Sequence, residues 1–174
     1  MIISEAIGSL GSEYEVGRDI AIHRSARVEN GAVLKGPIII GKNAYVAAYA
    51  YLRGGVYIEE DCIVGPSCEL KTTFMLANSK VAHLSFVGDT IIGGGVNIEA
   101  GAIVANYRNE LTRKSILIAR HGSIIETNVE KFGALIGDGA RIGANAVIAP
   151  GALLDPLTVV PRLALIDQYP ADRI

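Results

Sequence analysis

The sequence predicts an all-β fold, a parallel β-helix built as a triangular prism, and three observations carry that expectation. Isoleucine, leucine or valine recurs at every sixth position twelve times without a break, at Leu10, Val16, Ile22, Val28, Leu34, Ile40, Val46, Leu52, Ile58, Val64, Leu70 and Leu76. A small residue follows four positions behind successive rungs, at Ala26, Ala32, Ala44, Ala50, Val56, Cys62 and Cys68. Twenty glycines and many Gly, Asn and Asp steps supply corners, where a bend often needs φ > 0. A helix repeats at 3.6 residues and a half-buried strand at 2, so a period of six needs a different cause. Each hexad is one face of the prism, its aliphatic points inward, and the chain bends before the next face.

The elements follow in chain order. Met1 to Ser9 precedes the prism and is placed to cover its exposed strand edge, as is the tail from Arg162 at the other end. After Leu76 the ladder steps by five to Val81, by six to Val87, by five to Ile92, and then runs regularly through Ile98 and Val104. Beyond Tyr107 a polar segment, RNELTRK, leads into SILIARHGSIIET, two alternating runs around a His-Gly pair that predict a β-hairpin. This excursion near residues 108–133 leaves the prism. Hexads return at Ile136, Ile142, Ile148, Leu154 and Val160, giving roughly seven coils, about 33 Å tall at strand spacing.

Composition narrows the function. The 174 residues carry one type of repeat and 50% hydrophobic content, which predicts a single β-helix domain over 1–174. A net charge of −2 gives no reason to expect nucleic acid or an anionic membrane as partner, and the N-terminus lacks the basic and apolar regions of a leader. The expectation is a soluble cytoplasmic protein. Cys62 and Cys68 fall on inward small positions at different corners, where they read as inert core thiols rather than nucleophiles or a disulfide. Of the three histidines, His23 reads as an outer-face residue, His121 as the hairpin tip, and His83 as a residue of a distorted hexad. Their spacing fits no zinc site. On residue chemistry alone, Asn97 and Asn106 read as corner residues, Gly88-Asp89 and Arg53-Gly54-Gly55 as bends, and Lys71 as a solvated outer residue.

The stretch KVAHLSFVGDTIIGGGVNIEAGAIVANY, residues 80–107, resembles the signature AGHLxYxGDxxIGxxVNIGAGTxxxNY of the acetyltransferase domain of bifunctional glucosamine-1-phosphate acetyltransferase/UDP-N-acetylglucosamine pyrophosphorylases. The likeness extends upstream through YLRGG and CELK. Downstream, EKFGALIGDGARIGANAVIAPG is more similar to the archaeal sugar-1-phosphate enzymes, so the resemblance covers about Val46 to Leu154. It implies a left-handed parallel β-helix of hexapeptide repeats and an acetyl-CoA-dependent N-acetyltransferase acting on an amino-sugar phosphate such as glucosamine-1-phosphate. No metal is required for acyl transfer. It implies His83 as general base, with Asn106 as its catalytic companion. Arg53, Lys71, Asn97, Tyr107 and Arg108 are implied for substrate, and backbone amides at Ala100 and Ala149 for the thioester oxygen of the cofactor. A homotrimer with the cofactor between prisms is implied as well, and YVAAYAYLRGG would give a surface suited to burial. The match stops short of a nucleotidyltransferase half, which raises a separate nucleotidyltransferase as a further partner. Three departures stand out: Phe86 replaces a tyrosine, Glu99 replaces a glycine, and Thr112 stands where the family has a phosphate-binding lysine, with Arg108, Arg113 and Lys114 as nearby cations. They favour the alternative of a non-catalytic β-helix subunit or assembly module.

Overall fold

The computed structural model describes residues 2–169. From Ile20 to Ile166 the chain winds through seven coils of three short parallel strands, and equivalent strands stack into three faces. Face A begins with Ile20–His23 and Ile38–Ile40, and its register Ile20↔Ile38, Ile38↔Val56 and Val56↔Thr73 continues down the prism. Face B begins with Arg27–Val28 and Tyr45–Val46, and face C with Val33–Lys35. The aliphatic ladder fills the interior: Val46, Leu52, Ile58, Val64, Leu70, Val81, Val87, Ile92, Ile98 and Val104 are completely buried. The small positions Ala44, Ala50, Val56, Cys62 and Cys68 are buried with them. This is the predicted all-β solenoid, and among the described residues no helix is long and apolar enough to cross a membrane.

Corners explain the period. Between faces B and C the residues Tyr49, Ser67, Leu84, Asn145 and Leu163 take positive φ, joined by Gly31 and Gly101. Side chains with a Cβ seldom accept this conformation. Leu84 and Leu163 accept it while leaving 71% and 79% of their surface in solvent, which no propensity rule signals.

Three details of the ladder differ from the sequence reading. Leu10 and Val16 are in phase but lie outside the prism, because the strand Tyr14–Gly17 runs antiparallel to Ile20–His23 through a turn at Arg18 and Asp19. That strand covers the first coil edge. The helix Ile2–Ile7 instead lies along face A, seating Ile3 and Ile7 on Ala21 and Ile39. At the far end Leu165–Ile166 completes the last coil by pairing with Val147–Ile148, while Met1 and residues 170–174 lie outside the described residues. The inward rung after Leu70 is Met75, not Leu76, since Met75 pairs with Ile58 and is fully buried. The five-residue steps are therefore Leu70 to Met75 and Val87 to Ile92, both at the corner between faces C and A. His83 stands in a regular hexad at the corner between faces B and C, not in a slip.

The excursion matches its predicted place. Leu117–Arg120 and Ser123–Glu126 form the antiparallel hairpin, with His121 and Gly122 at the turn in positive φ. Its closing end is fixed when the Gly133 N–H donates to the Asp89 carbonyl at 2.8 Å. A Cβ at Gly133 would collide with the Gly88 carbonyl oxygen, so only glycine allows this approach.

Candidate functional site

The two shortened turns shape one edge of face C. Thr72 and Asp89 carry the positive φ there, and the next residues, Thr73 and Thr90, turn inward at the small positions. Their hydroxyls donate to backbone carbonyls, Thr73 to Val87 at 3.3 Å and Thr90 to Gly88 at 2.8 Å, so the polar atoms are satisfied inside the prism. Arg53 and Lys71 are register partners on the outer side of neighbouring rungs. Arg53 meets Glu69 at 2.7 Å, and Lys71 meets Asp89 at 2.7 Å with its side chain only 21% exposed. The Asn106 amide donates to the same Asp89 carboxylate. Gly88 makes room for it: a Cβ there would stand 2.6 Å from Asn106 Nδ2 and 2.9 Å from the Phe86 ring. Lys71 and Asn106 are thus joined through Asp89 at one edge, and Arg53, beside Lys71 in register, is paired separately with Glu69; neither carboxylate has a role on sequence alone.

The opposite edge carries His83. Its imidazole is exposed and makes no side-chain hydrogen bond to the described residues, while its backbone carbonyl accepts from Gly101 N–H at 2.9 Å. Asn97 is exposed on face B, in register between Lys80 and Arg141. His83 and Asn97 share a groove of about 430 Å³ floored by Ala47, Gly65 and Ala82. Six residues of chain separate His83 from Asp89, which limits the two edges to about 20 Å apart. Phe86 lies on the outer surface between them.

Other expected residues fall elsewhere. Arg108 is taken up by the fold: its side chain is 3% exposed, it grips Asp167 with two bonds of 2.6 and 2.8 Å, and it donates to the Pro150 carbonyl at 2.9 Å. It anchors the excursion to the last coil and has no guanidinium face free for a substrate. The hydrogen bonds from Arg108 hold the Asp167 carboxyl below its ordinary value. The Ala149 N–H already donates to Ile166 at 2.8 Å, so it offers no hydrogen bond to a thioester oxygen. Ala100 differs, because its N–H has no protein acceptor among the described residues. Tyr107 is half-buried beside the excursion, with Lys131 Nζ 4.2 Å and Lys114 Nζ 5.4 Å from its ring centroid.

Glu99 has a structural task. Its carboxylate accepts from the Ala144 N–H of the next coil at 2.9 Å and pairs with Arg162 of the last coil through two bonds of 2.8 Å. Glu29 binds Ala48 N–H in the same way at the first coil. The cysteines are equally occupied by structure, Cys62 Sγ lying 3.1 Å from the Leu76 carbonyl and Cys68 Sγ 2.7 Å from that of Ala82. Burial pushes the Cys62 thiol up to about 11.

With this geometry in hand, comparison with known proteins is specific. The family model of the GMPPB C-terminal domain matches residues 34–130, more than half of the chain. The chain belongs to this family. The matched span contains Arg53, Lys71, His83, Asn97, Asn106 and Tyr107, and it stops one residue short of Lys131. Among curated relatives, the bifunctional protein GlmU of Pseudoalteromonas atlantica is 34% identical over 177 residues, covering 99% of this chain and 35% of that protein. The bifunctional sugar-1-phosphate nucleotidylyltransferase/acetyltransferase of Sulfurisphaera tokodaii is 32% identical over 151 residues, 87% of this chain and 37% of that protein. The chain thus spans little more than a third of the length of these relatives. Among solved structures, a hexapeptide transferase family protein from Anaplasma phagocytophilum superposes with a TM-score of 0.54 at 12% identity, covering 88% of this chain and 81% of that one. A variant of AntD, an N-acyltransferase from Bacillus cereus in complex with dTDP and coenzyme A, gives 0.52 at 16% identity, covering 80% and 74%. At such identities the likeness to these structures concerns the fold.

Proposed function

We propose that this chain is an acetyl-CoA-dependent N-acetyltransferase acting on an amino-sugar phosphate, with the sugar lying across face C. The supporting observation is that residues of one motif, His83 on one side and Asp89 with Asn106 on the other, stand at the two edges of a single face. At one edge stands an imidazole with no competing partner among the described residues; at the other, Lys71, Asp89 and the buried Asn106 amide are bonded together, with the Arg53–Glu69 ion pair beside them. An amine attacks a thioester only when neutral, and a free imidazole at the rim is the group suited to take its proton. The amine nitrogen bonds to the acyl carbon, the C–S bond breaks, and the coenzyme leaves as a thiolate that takes up a proton. The Ala100 N–H is the donor offered to the thioester oxygen. Arg53 and Lys71 hold the sugar phosphate by exchanging Glu69 and Asp89 for it, Asn97 and Tyr107 border the sugar, and Asn106 keeps Asp89 in place. With both thiols buried, transfer is direct.

The names of the relatives support the reaction class, since GlmU and the Sulfurisphaera enzyme are called bifunctional and the latter an acetyltransferase. AntD, whose structure holds coenzyme A, supports the cofactor. Glu99 no longer favours a retired scaffold, because its carboxylate is turned into the corner and used there. The face B groove beside His83 is open in one chain, and a homotrimer closes it with a second copy; light scattering should then give three times 18.3 kDa. The deciding test is acetyl transfer across glucosamine-1-phosphate, galactosamine-1-phosphate and nucleotide-linked amino sugars. Turnover of at least one, abolished by His83→Ala, supports the reading. Unchanged turnover in that variant removes His83 from the chemistry.

A further inference from the structure

We infer that Lys114 and Lys131 form an anion subsite around Tyr107, built by closure of the excursion and suited to a phosphate ester of one of the two substrates. Both ammonium groups approach the same ring, at 5.4 and 4.2 Å from its centroid, which places them within about 10 Å of each other. Neither has a carboxylate within ion-pair reach among the described residues. Lys114 is fixed instead by two carbonyl oxygens, those of Asn109 at 2.7 Å and Arg108 at 3.2 Å, which orient the ammonium without cancelling its charge. Lys131 is exposed and makes no hydrogen bond to the described residues. Two like charges held around one ring within about 10 Å repel each other, an anion bound between them relieves that repulsion, and the ring's quadrupole only partly offsets it.

The pair has a defined position. The Phe132 N–H donates to the Asn106 carbonyl at 3.1 Å, and Gly133 N–H donates to the Asp89 carbonyl at 2.8 Å. These bonds lay the returning arm beside the departing one, so Lys131 reaches Tyr107 across a separation of 24 residues in sequence. The subsite therefore adjoins the network of Lys71, Asp89 and Asn106. It supplies cationic charge that Arg108, buried on Asp167, and Thr112 do not. Its assignment as an anion site stands on this geometry; which substrate's phosphate it takes rests on the acetyltransferase reading above.

Calorimetric titration of the full chain with inorganic pyrophosphate tests the subsite itself. Lys131→Ala should weaken pyrophosphate binding at least tenfold, Lys131→Arg should restore most of it, and Arg24→Ala, in the first coil, should leave it unchanged. Equal binding by wild type and Lys131→Ala, or no binding by wild type, overturns the inference. Parallel titrations with glucosamine-1-phosphate, glucosamine and CoA identify the source. A loss confined to glucosamine-1-phosphate assigns the sugar phosphate, and a loss confined to CoA assigns the coenzyme. Should the chain transfer no acetyl group while pyrophosphate binding still depends on Lys131, the acetyltransferase reading fails and the subsite stands.

Discussion

The two edges of face C are built from the same prism yet differ in nearly every physical respect. At the corner with face B, His83 is exposed and unpartnered, and only its backbone takes part in the structure. At the corner with face A, Lys71, Asp89 and Asn106 are partly or wholly buried and bonded to one another. The first edge can lose its side chain at little cost to folding; the second cannot. Function and stability should therefore separate along the width of one face.

That separation is broken most directly by a pair of substitutions. His83→Ala should lower kcat by about 10²–10⁴-fold, the range for a lost general base, with a melting temperature within a degree or two of wild type. Asn106→Ala should lower the rate and also destabilise by about 1–2 kcal/mol, because Asp89 loses a buried donor. Thermal unfolding beside steady-state kinetics reads both. A His83→Ala protein that melts far below wild type would show that the two edges are not independent.

Gly88→Ala sharpens the comparison from the backbone side. The added Cβ meets the ends of Asn106 and Phe86, not backbone, so those side chains must move, at about 1–3 kcal/mol. The expected signature is loss of rate with the wild-type oligomer mass and intact far-UV circular dichroism. Wild-type kinetics would mean that the Asn106 position is not needed.

How much of this was legible in the chain depends on the range of the interaction. The prism was legible because its rungs repeat locally, and the hairpin because alternation and His121-Gly122 are local too. Leu76 reads as a rung because Met75 and Leu76 are both apolar; only the tight turn at Thr72, which drops one residue, decides between them. The motif from His83 to Tyr107 could be read as a string, but not its division between two edges. Lys131 was out of reach because loop closure, not spacing, carries it to Tyr107. Arg108 reads as a substrate contact for a similar reason, since its partner Asp167 is 59 residues away.

Arg108→Ala tests that last point and is expected to act on stability alone. The substitution leaves Asp167 and the Pro150 carbonyl without a buried donor and frees the excursion from the last coil, at about 2–3 kcal/mol. Because pairing holds the Asp167 pKa below 3.8, its stabilising contribution is complete above that value and is lost as pH falls through the lowered one. Denaturant melts of wild type from pH 6 downward should therefore show an acid-side decline that Arg108→Ala lacks in part. A large rise in KM for the sugar phosphate with unchanged stability would return Arg108 to the substrate site.

The smallest effect is expected at the cysteines, which belong to the interior that both edges share. Cys62 and Cys68 take small inward positions, and their Sγ atoms face the carbonyls of Leu76 and Ala82 in the next coil. With Cys62 raised to about 11, almost none of it is thiolate at pH 8. Iodoacetamide at that pH should leave both thiols unmodified in the folded protein and label both in denaturant, as read by mass spectrometry. Cys62→Ala and Cys68→Ala should each retain near wild-type turnover, because alanine already occupies the corresponding positions at Ala44 and Ala50 with no exposed surface. Rapid labelling of one thiol in the folded state would mean that its coil opens on the timescale of the reaction, which the packing of the surrounding rungs argues against.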